Sequence, residues 1–116
     1  MYSVTEAFVS HLLALGYDAY ANVPADPPAE FVTVERTGGS VTDLVDHPSL
    51  AIQCWAATDE AAERLANAVR AQIVCGARPF GVTRIDVNSG PYRFYDEYTR
   101  CPRYQMALDA TCQLTD

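Results

Sequence analysis

In residues 103–114 the side chains alternate in character, Ala107 apart: Tyr104, Met106, Leu108, Ala110, Cys112 and Leu114 in one set, Arg103, Gln105, Asp109, Thr111 and Gln113 in the other. A period of two places each set on its own face of an extended strand, which no helix reproduces. The chain must therefore build a sheet with one face against an apolar layer and the other facing outward. Every other element has to supply that layer or extend that sheet.

Two segments have the 3.6-residue period that can cover a sheet. Ser3, Val4, Thr5 and Glu6 form a capping-box pattern, Val4, Phe8, Leu12 and Leu15 share one stripe, and Gly16 marks a stop. Val9 and Leu13 lie away from that stripe, so this first helix is apolar on more than one side. Thr58 caps a second helix, in which Ala62, Leu65, Ala66, Val69 and Ile73 form a continuous stripe and Glu60, Glu63, Arg64, Asn67 and Arg70 lie opposite, down to Cys75 and Gly76. Residues 17–23 are short and mixed and end in the proline-rich stretch 24–28, which continues neither helix nor ladder. FVTVER at 31–36 reads as a strand closed by Gly38 and Gly39, residues 37–48 as a polar loop, and residues 49–57 as a half-buried strand with Trp55 on the Gln53 face. Residues 82–87 read as a short strand, 88–91 as a turn and 92–98 as an aromatic strand interrupted at Cys101 and Pro102. A chain of 116 residues has no room for repeated βαβ units. The order predicts an α+β fold over residues 1–116 as a single domain: one mixed, mostly antiparallel sheet with both helices on one face.

Composition narrows the function. Fifteen acidic residues against eight basic ones give a net charge of -7, which repels polyanions and argues against a conventional duplex-DNA reader. No apolar run approaches the length of a membrane span and no leader pattern opens the chain, so a cytoplasmic protein with no membrane partner is expected. Cys54, Cys75, Cys101 and Cys112 lack the close spacing of a zinc or redox motif, and Cys54 and Cys112 read as small buried hydrophobes. His11 and His47 stand in no pattern with cysteine or carboxylate that would bind a metal. Gly38, Gly39 and Ser40 follow a strand, but no helix with a lysine comes next, so a phosphate cradle fails its structural test. Asp43 with Asp46, and Asp96 with Glu97, could be paired carboxylates, yet nothing adjacent would separate their pKa values for acid-base work. Tyr92, Phe94, Tyr95, Tyr98 and Tyr104 lie among Arg93, Arg100 and Arg103. These are residue types that anchor protein interfaces or stack on single-stranded nucleic acid, and the net charge favours the interface. Neither catalytic residues nor a cofactor or metal is expected.

Taken together, FVTVERTGG (31–39), DHPSLAIQCWA (46–56), DEAAERLANAVRAQI (59–73) and SGPYRFYDEYTRCPRYQMALDATCQ (89–113) resemble, in order and spacing, a tail terminator protein of a long-tailed bacteriophage or prophage. The resemblance implies a small α+β structural subunit that forms a hexameric ring on the finished tail tube, stops its growth and offers the surface to which the neck of the head docks. Its implied partners are other copies of itself, the tail tube protein, a neck or head-completion protein, and a double-stranded DNA genome that passes without specific binding. It would be made in the bacterial cytoplasm and end in the virion. For such a ring, Arg36, Gly38, Gly39, Trp55, Arg93, Tyr95 and Arg103 are the expected contact residues, and Asp43, Asp46, Asp96 and Glu97 the candidates for an acidic lumen. Residues 37–48 would be mobile in the free subunit. The competing readings are a neck adaptor or stopper of the same virion, and a small ligand-binding or enzymatic α+β domain.

Overall fold

The computed structural model describes residues 2–42, 44–94 and 101–113. Its elements run α1 (Val4–Ala14), β1 (Ala19–Tyr20), β2 (Phe31–Thr42), β3 (Val45–Trp55), α2 (Asp59–Cys75), β4 (Val82–Arg93) and β5 (Arg103–Gln113). The five strands form one sheet in the order β1-β2-β3-β5-β4, parallel between β1 and β2 and antiparallel elsewhere. The expected α+β architecture is present. Both helices contribute to one core: Val4, Phe8 and Leu12 of α1 with Ala66, Val69 and Ile73 of α2, against Val32, Val34, Leu50, Ile52, Cys54, Met106, Leu108, Ala110 and Cys112 of the sheet. α1 lies over β1 and β2, and α2 over β3, β5 and β4.

The helix signals act as the sequence indicates. The Ser3 hydroxyl accepts from the Glu6 amide at 3.3 Å and the Thr58 hydroxyl from the Ala61 amide at 3.1 Å, each filling a donor that the first turn leaves open. Gly16 ends α1 with φ +98, a conformation that costs glycine little. Leu13 and Leu15 remain exposed. Leu114, the last residue of the alternating set, lies outside the described residues.

The structure corrects the sequence reading in two places. Residues 37–48 are not a loop: β2 runs on to Thr42 and β3 starts at Val45, so the segment is the outer half of a hairpin laddered from Phe31↔Trp55 to Thr42↔Val45. Two details let polar residues pair there. Thr37 is the extra residue of a bulge between Arg36↔Leu50 and Gly38↔Ser49, and its hydroxyl donates to the Ser49 carbonyl at 3.2 Å. Gly39 takes φ +108 where a Cβ would lie 2.1 Å from the His47 carbonyl oxygen, so the two chains approach as only glycine allows. The second correction concerns residues 82–93. Instead of two strands and a turn they form one strand, β4, whose register against β5 slips between Val82 and Arg84, between Val87 and Ser89, and between Ser89 and Tyr92. The turn-like Asn88 is held in the sheet by its own side chain, which donates to Asp109 Oδ2 at 2.7 Å. Gly90, at φ +98, sits where a Cβ would be 2.6 Å from the Gln105 carbonyl.

No helix among the described residues is long and apolar enough to cross a membrane.

Candidate interaction surfaces

The residues expected at subunit contacts are drawn together by the fold, but mostly into contacts within the chain. Arg36 on β2 reaches Asp46 on β3 with two parallel hydrogen bonds, Nη1 to Oδ2 at 2.6 Å and Nη2 to Oδ1 at 2.7 Å, and its Nε donates to the Gly38 carbonyl at 3.1 Å. A fork-to-fork pair of this kind is among the stronger protein ion pairs. It raises the Arg36 pKa above its ordinary value, chiefly through the hydrogen bonds to Asp46. Asp46 is buried within the chain, a strut under the hairpin. Beside it are the Tyr2 phenol and the Cys112 thiol, both pushed up in pKa first by burial. The Tyr2 hydroxyl also donates to the Phe80 carbonyl at 2.7 Å, tying the start of the chain to the entry of β4.

Trp55 is not on an exposed face. It is 4% exposed, with the Phe31 ring stacked on it at 5.5 Å and 5° and the Arg103 guanidinium 4.5 Å from its ring centre. Arg103, itself buried, also lies 4.1 Å from the Phe94 ring. Alternation along β3 does assign Trp55 to the face away from the helices; Phe31 of β2 and Arg103 of β5 close over it there. Arg93 meets Asp59 at the start of α2, Nε to Oδ1 at 3.1 Å, in an exposed pair. Gly38 and Gly39 belong to the hairpin described above. Tyr95, Asp43, Asp96 and Glu97, with Tyr98 and Arg100, lie outside the described residues.

The face of the sheet without helices carries a line of side-chain hydrogen bonds across four strands. Trp55 Nε1 donates to Thr33 Oγ1 at 3.0 Å, Thr33 Oγ1 to Gln53 Oε1 at 2.7 Å, Gln53 Nε2 to Gln105 Oε1 at 3.1 Å, and Gln105 Nε2 to the Tyr92 hydroxyl at 2.8 Å. Further along, Asp109 accepts from Asn88 and from Ser49, and these bonds, Asn88 first, hold its carboxyl below the usual range. These side chains satisfy one another across the strands.

Two surfaces are conspicuous that sequence reasoning passed over. At the end of the hairpin Val41 is 58% and Leu44 72% exposed, and Phe80 beside the start of β4 is 81% exposed. Apolar Val41, Leu44 and Val45 inside the otherwise polar segment 40–47 were the available signal. The other is a groove beside α2 and β4 lined by Arg70, Arg78 and Arg84, which are scattered in the chain and give no signal before the fold gathers them. Among the described residues no group of three or more His, Cys, Asp or Glu side chains is placed to hold a metal ion. No protein-family model matches the chain, and no curated protein matches it in sequence.

The thiols give a direct check on the packing. Cys54 and Cys112 are buried and burial pushes the Cys54 thiol up to about 12, whereas Cys75 and Cys101 are exposed. Because the thiolate is the reactive form, Cys75 and Cys101 are expected to take up a thiol reagent at pH 8 at least about a hundredfold faster than Cys54 and Cys112. Peptide mapping of the labelled protein reads this; comparable labelling of all four in the folded chain would contradict the core described above.

Proposed function

We propose that this chain is a structural ring subunit of the tail terminator kind: six copies close on the end of a tail tube of a long-tailed phage, stop its polymerisation and present the surface to which the neck joins. The observation that carries this reading is the outer hairpin. The Arg36–Asp46 pair ties its two strands together and β5 ladders to its β3 half at Val45 and Asp46, while residues 37–42 and Leu44 are exposed and belong to no core. An ordered arm that ends in exposed Val41 and Leu44 finds its apolar burial on a neighbour, as a subunit that must grip both its own ring and a tube requires. The net charge of -7 supports the same reading, since an acidic ring repels the phosphates of a passing genome instead of holding them. The segment order and spacing that resemble a tail terminator support it as well.

The test is capping. Purified protein added to growing tail tubes of the phage or prophage that encodes it should arrest elongation and appear as a ring at tube ends by electron microscopy. The double substitution Val41→Asp and Leu44→Asp should leave the melting temperature within about 2 °C, as expected for exposed positions, and reduce capped ends at least about tenfold. Tubes that grow past the wild-type protein, with no ring at their ends, would defeat the reading. Location of the protein on the portal side of an assembled particle would replace it with that of a neck adaptor.

A further inference from the structure

The two edges of the sheet carry opposite charge. At the β4 edge, a groove of about 530 Å³ beside the end of α2 is lined by Ile73, Val74 and Ile85 and by Arg70, Arg78, Arg84 and Asp86. Arg84 pairs with Asp86 at 2.9 Å, which leaves Arg70 and Arg78, both exposed, with no ion pair or hydrogen bond to the described residues. In a chain of net charge -7 this is a local excess of positive charge with an apolar lining, Val74 being 53% exposed.

The opposite edge is the reverse. Asp18 directly precedes β1, Glu30 directly precedes β2, Glu35 lies on β2, and all three are exposed. Arg36, the arginine of that edge, is neutralised by Asp46. The edge is also open as backbone: β1 pairs with β2 at Val32 and Thr33, so beyond Thr33 β2 has a strand on its β3 side alone. Unpaired strand edges invite a further chain unless something covers them.

We infer that the arginine groove receives the acidic β1–β2 edge of a second copy of this chain, so that copies join head to tail. Two different surfaces on opposite sides of one sheet make a heterologous contact, the kind that closes into a ring when the rotation per copy allows. Copies of net charge -7 repel one another at a distance, so attraction has to come from matched charges brought within a screening length of about 8 Å. The groove and the acidic edge provide that match, and the wrong pairings, acidic edge on acidic edge or groove on groove, juxtapose like charges. This inference rests on the proposal that the chain forms a ring, and it specifies which surfaces make the joint.

Charge reversal on each side tests it. Sedimentation velocity is run on the wild-type chain, on Arg70→Glu with Arg78→Glu, on Glu30→Arg with Glu35→Arg, and on an equimolar mixture of the two variants, with circular dichroism confirming that each is folded. All four positions are exposed, so the folded state should tolerate them. Each variant alone should self-associate on the order of a hundredfold more weakly than wild type. The mixture should recover association, because the reversed groove meets the reversed edge at one joint and the unchanged pair meets at the next. Folded variants that associate as well as wild type, or a mixture no better than its components, would overturn the joint. Rings that still cap tubes under those reversals would leave the tail terminator reading in place while removing this one, and a wild-type chain that is monomeric in solution and on tube ends would remove both.

Discussion

Arg36→Ala is expected to lower the free energy of unfolding by about 3 kcal/mol or more, and Asp46→Ala by distinctly less. The asymmetry follows from where the two charges sit. The Asp46 side chain is 7% exposed and that of Arg36 35% exposed. Without the guanidinium, a buried carboxylate is left beside Tyr2 and Cys112 with its two short hydrogen bonds unmade, and an orphaned buried charge is among the most destabilising single changes. Without the carboxylate, the guanidinium keeps its bond to the Gly38 carbonyl and can turn to water. Arg36→Lys should fall between them, since an ammonium neutralises Asp46 but cannot make the two parallel bonds. Urea denaturation of the four proteins measures the series. Equal losses of less than about 1 kcal/mol for both alanine variants would be the signature of a solvated surface pair and would contradict the burial. Hydrogen exchange on Arg36→Ala should show the added opening concentrated in residues 36–50, because the pair ties β2 to β3 across the outer half of the hairpin.

The contrast between what periodicity reveals and what it conceals is plain along this chain. α1, α2 and β5 are legible because their apolar residues face one layer: Val4, Phe8 and Leu12, then Ala62, Ala66, Val69 and Ile73, then Met106, Leu108, Ala110 and Cys112. The α+β order and the shared face of the two helices follow from them. The outer hairpin is illegible for the same reason. Its β2 half faces no core and the buried residues of its β3 half are Asp46 and Pro48, so no apolar period marks it, and the two glycines that suggest a chain leaving a strand are in fact a close approach within one. β4 is broken on paper by Asn88, Ser89, Gly90 and Pro91, yet a strand absorbs turn residues as bulges when its partner offers a matching group, as Asp109 does for Asn88. The candidate surfaces show the same limit. Alternation put Trp55 on the correct face but said nothing of Phe31 and Arg103 covering it, and Arg70, Arg78 and Arg84 meet through packing of α2 on β4.

Trp55→Ala is expected to cost about 3–5 kcal/mol, comparable with truncation of a large aromatic residue in the main core. The indole is clamped on a face that the helices do not cover: Phe31 stacks on it at 5.5 Å, the Arg103 guanidinium sits 4.5 Å from its centre, and its Nε1 donates to Thr33 Oγ1 at 3.0 Å. Removing it opens a cavity, strips Arg103 of an aromatic contact and leaves the Thr33 hydroxyl without its donor. Trp55→Phe keeps most of the stack and loses that hydrogen bond, so a cost of about 1 kcal/mol is expected for it. Trp55 is the single tryptophan of the sequence, which makes its own fluorescence the reporter. Folded wild-type protein should emit at short wavelength, resist quenching by iodide, and shift to the red in one step with unfolding. The same spectrum should be unchanged when copies associate, because the ring is already shielded within one chain. A red-shifted, readily quenched emission from the isolated chain that turns blue on assembly would instead return Trp55 to the subunit contact. If the emission is blue throughout, the contacts between copies are left to the arm and the two charged edges, where the exposed apolar and unpaired charged side chains lie.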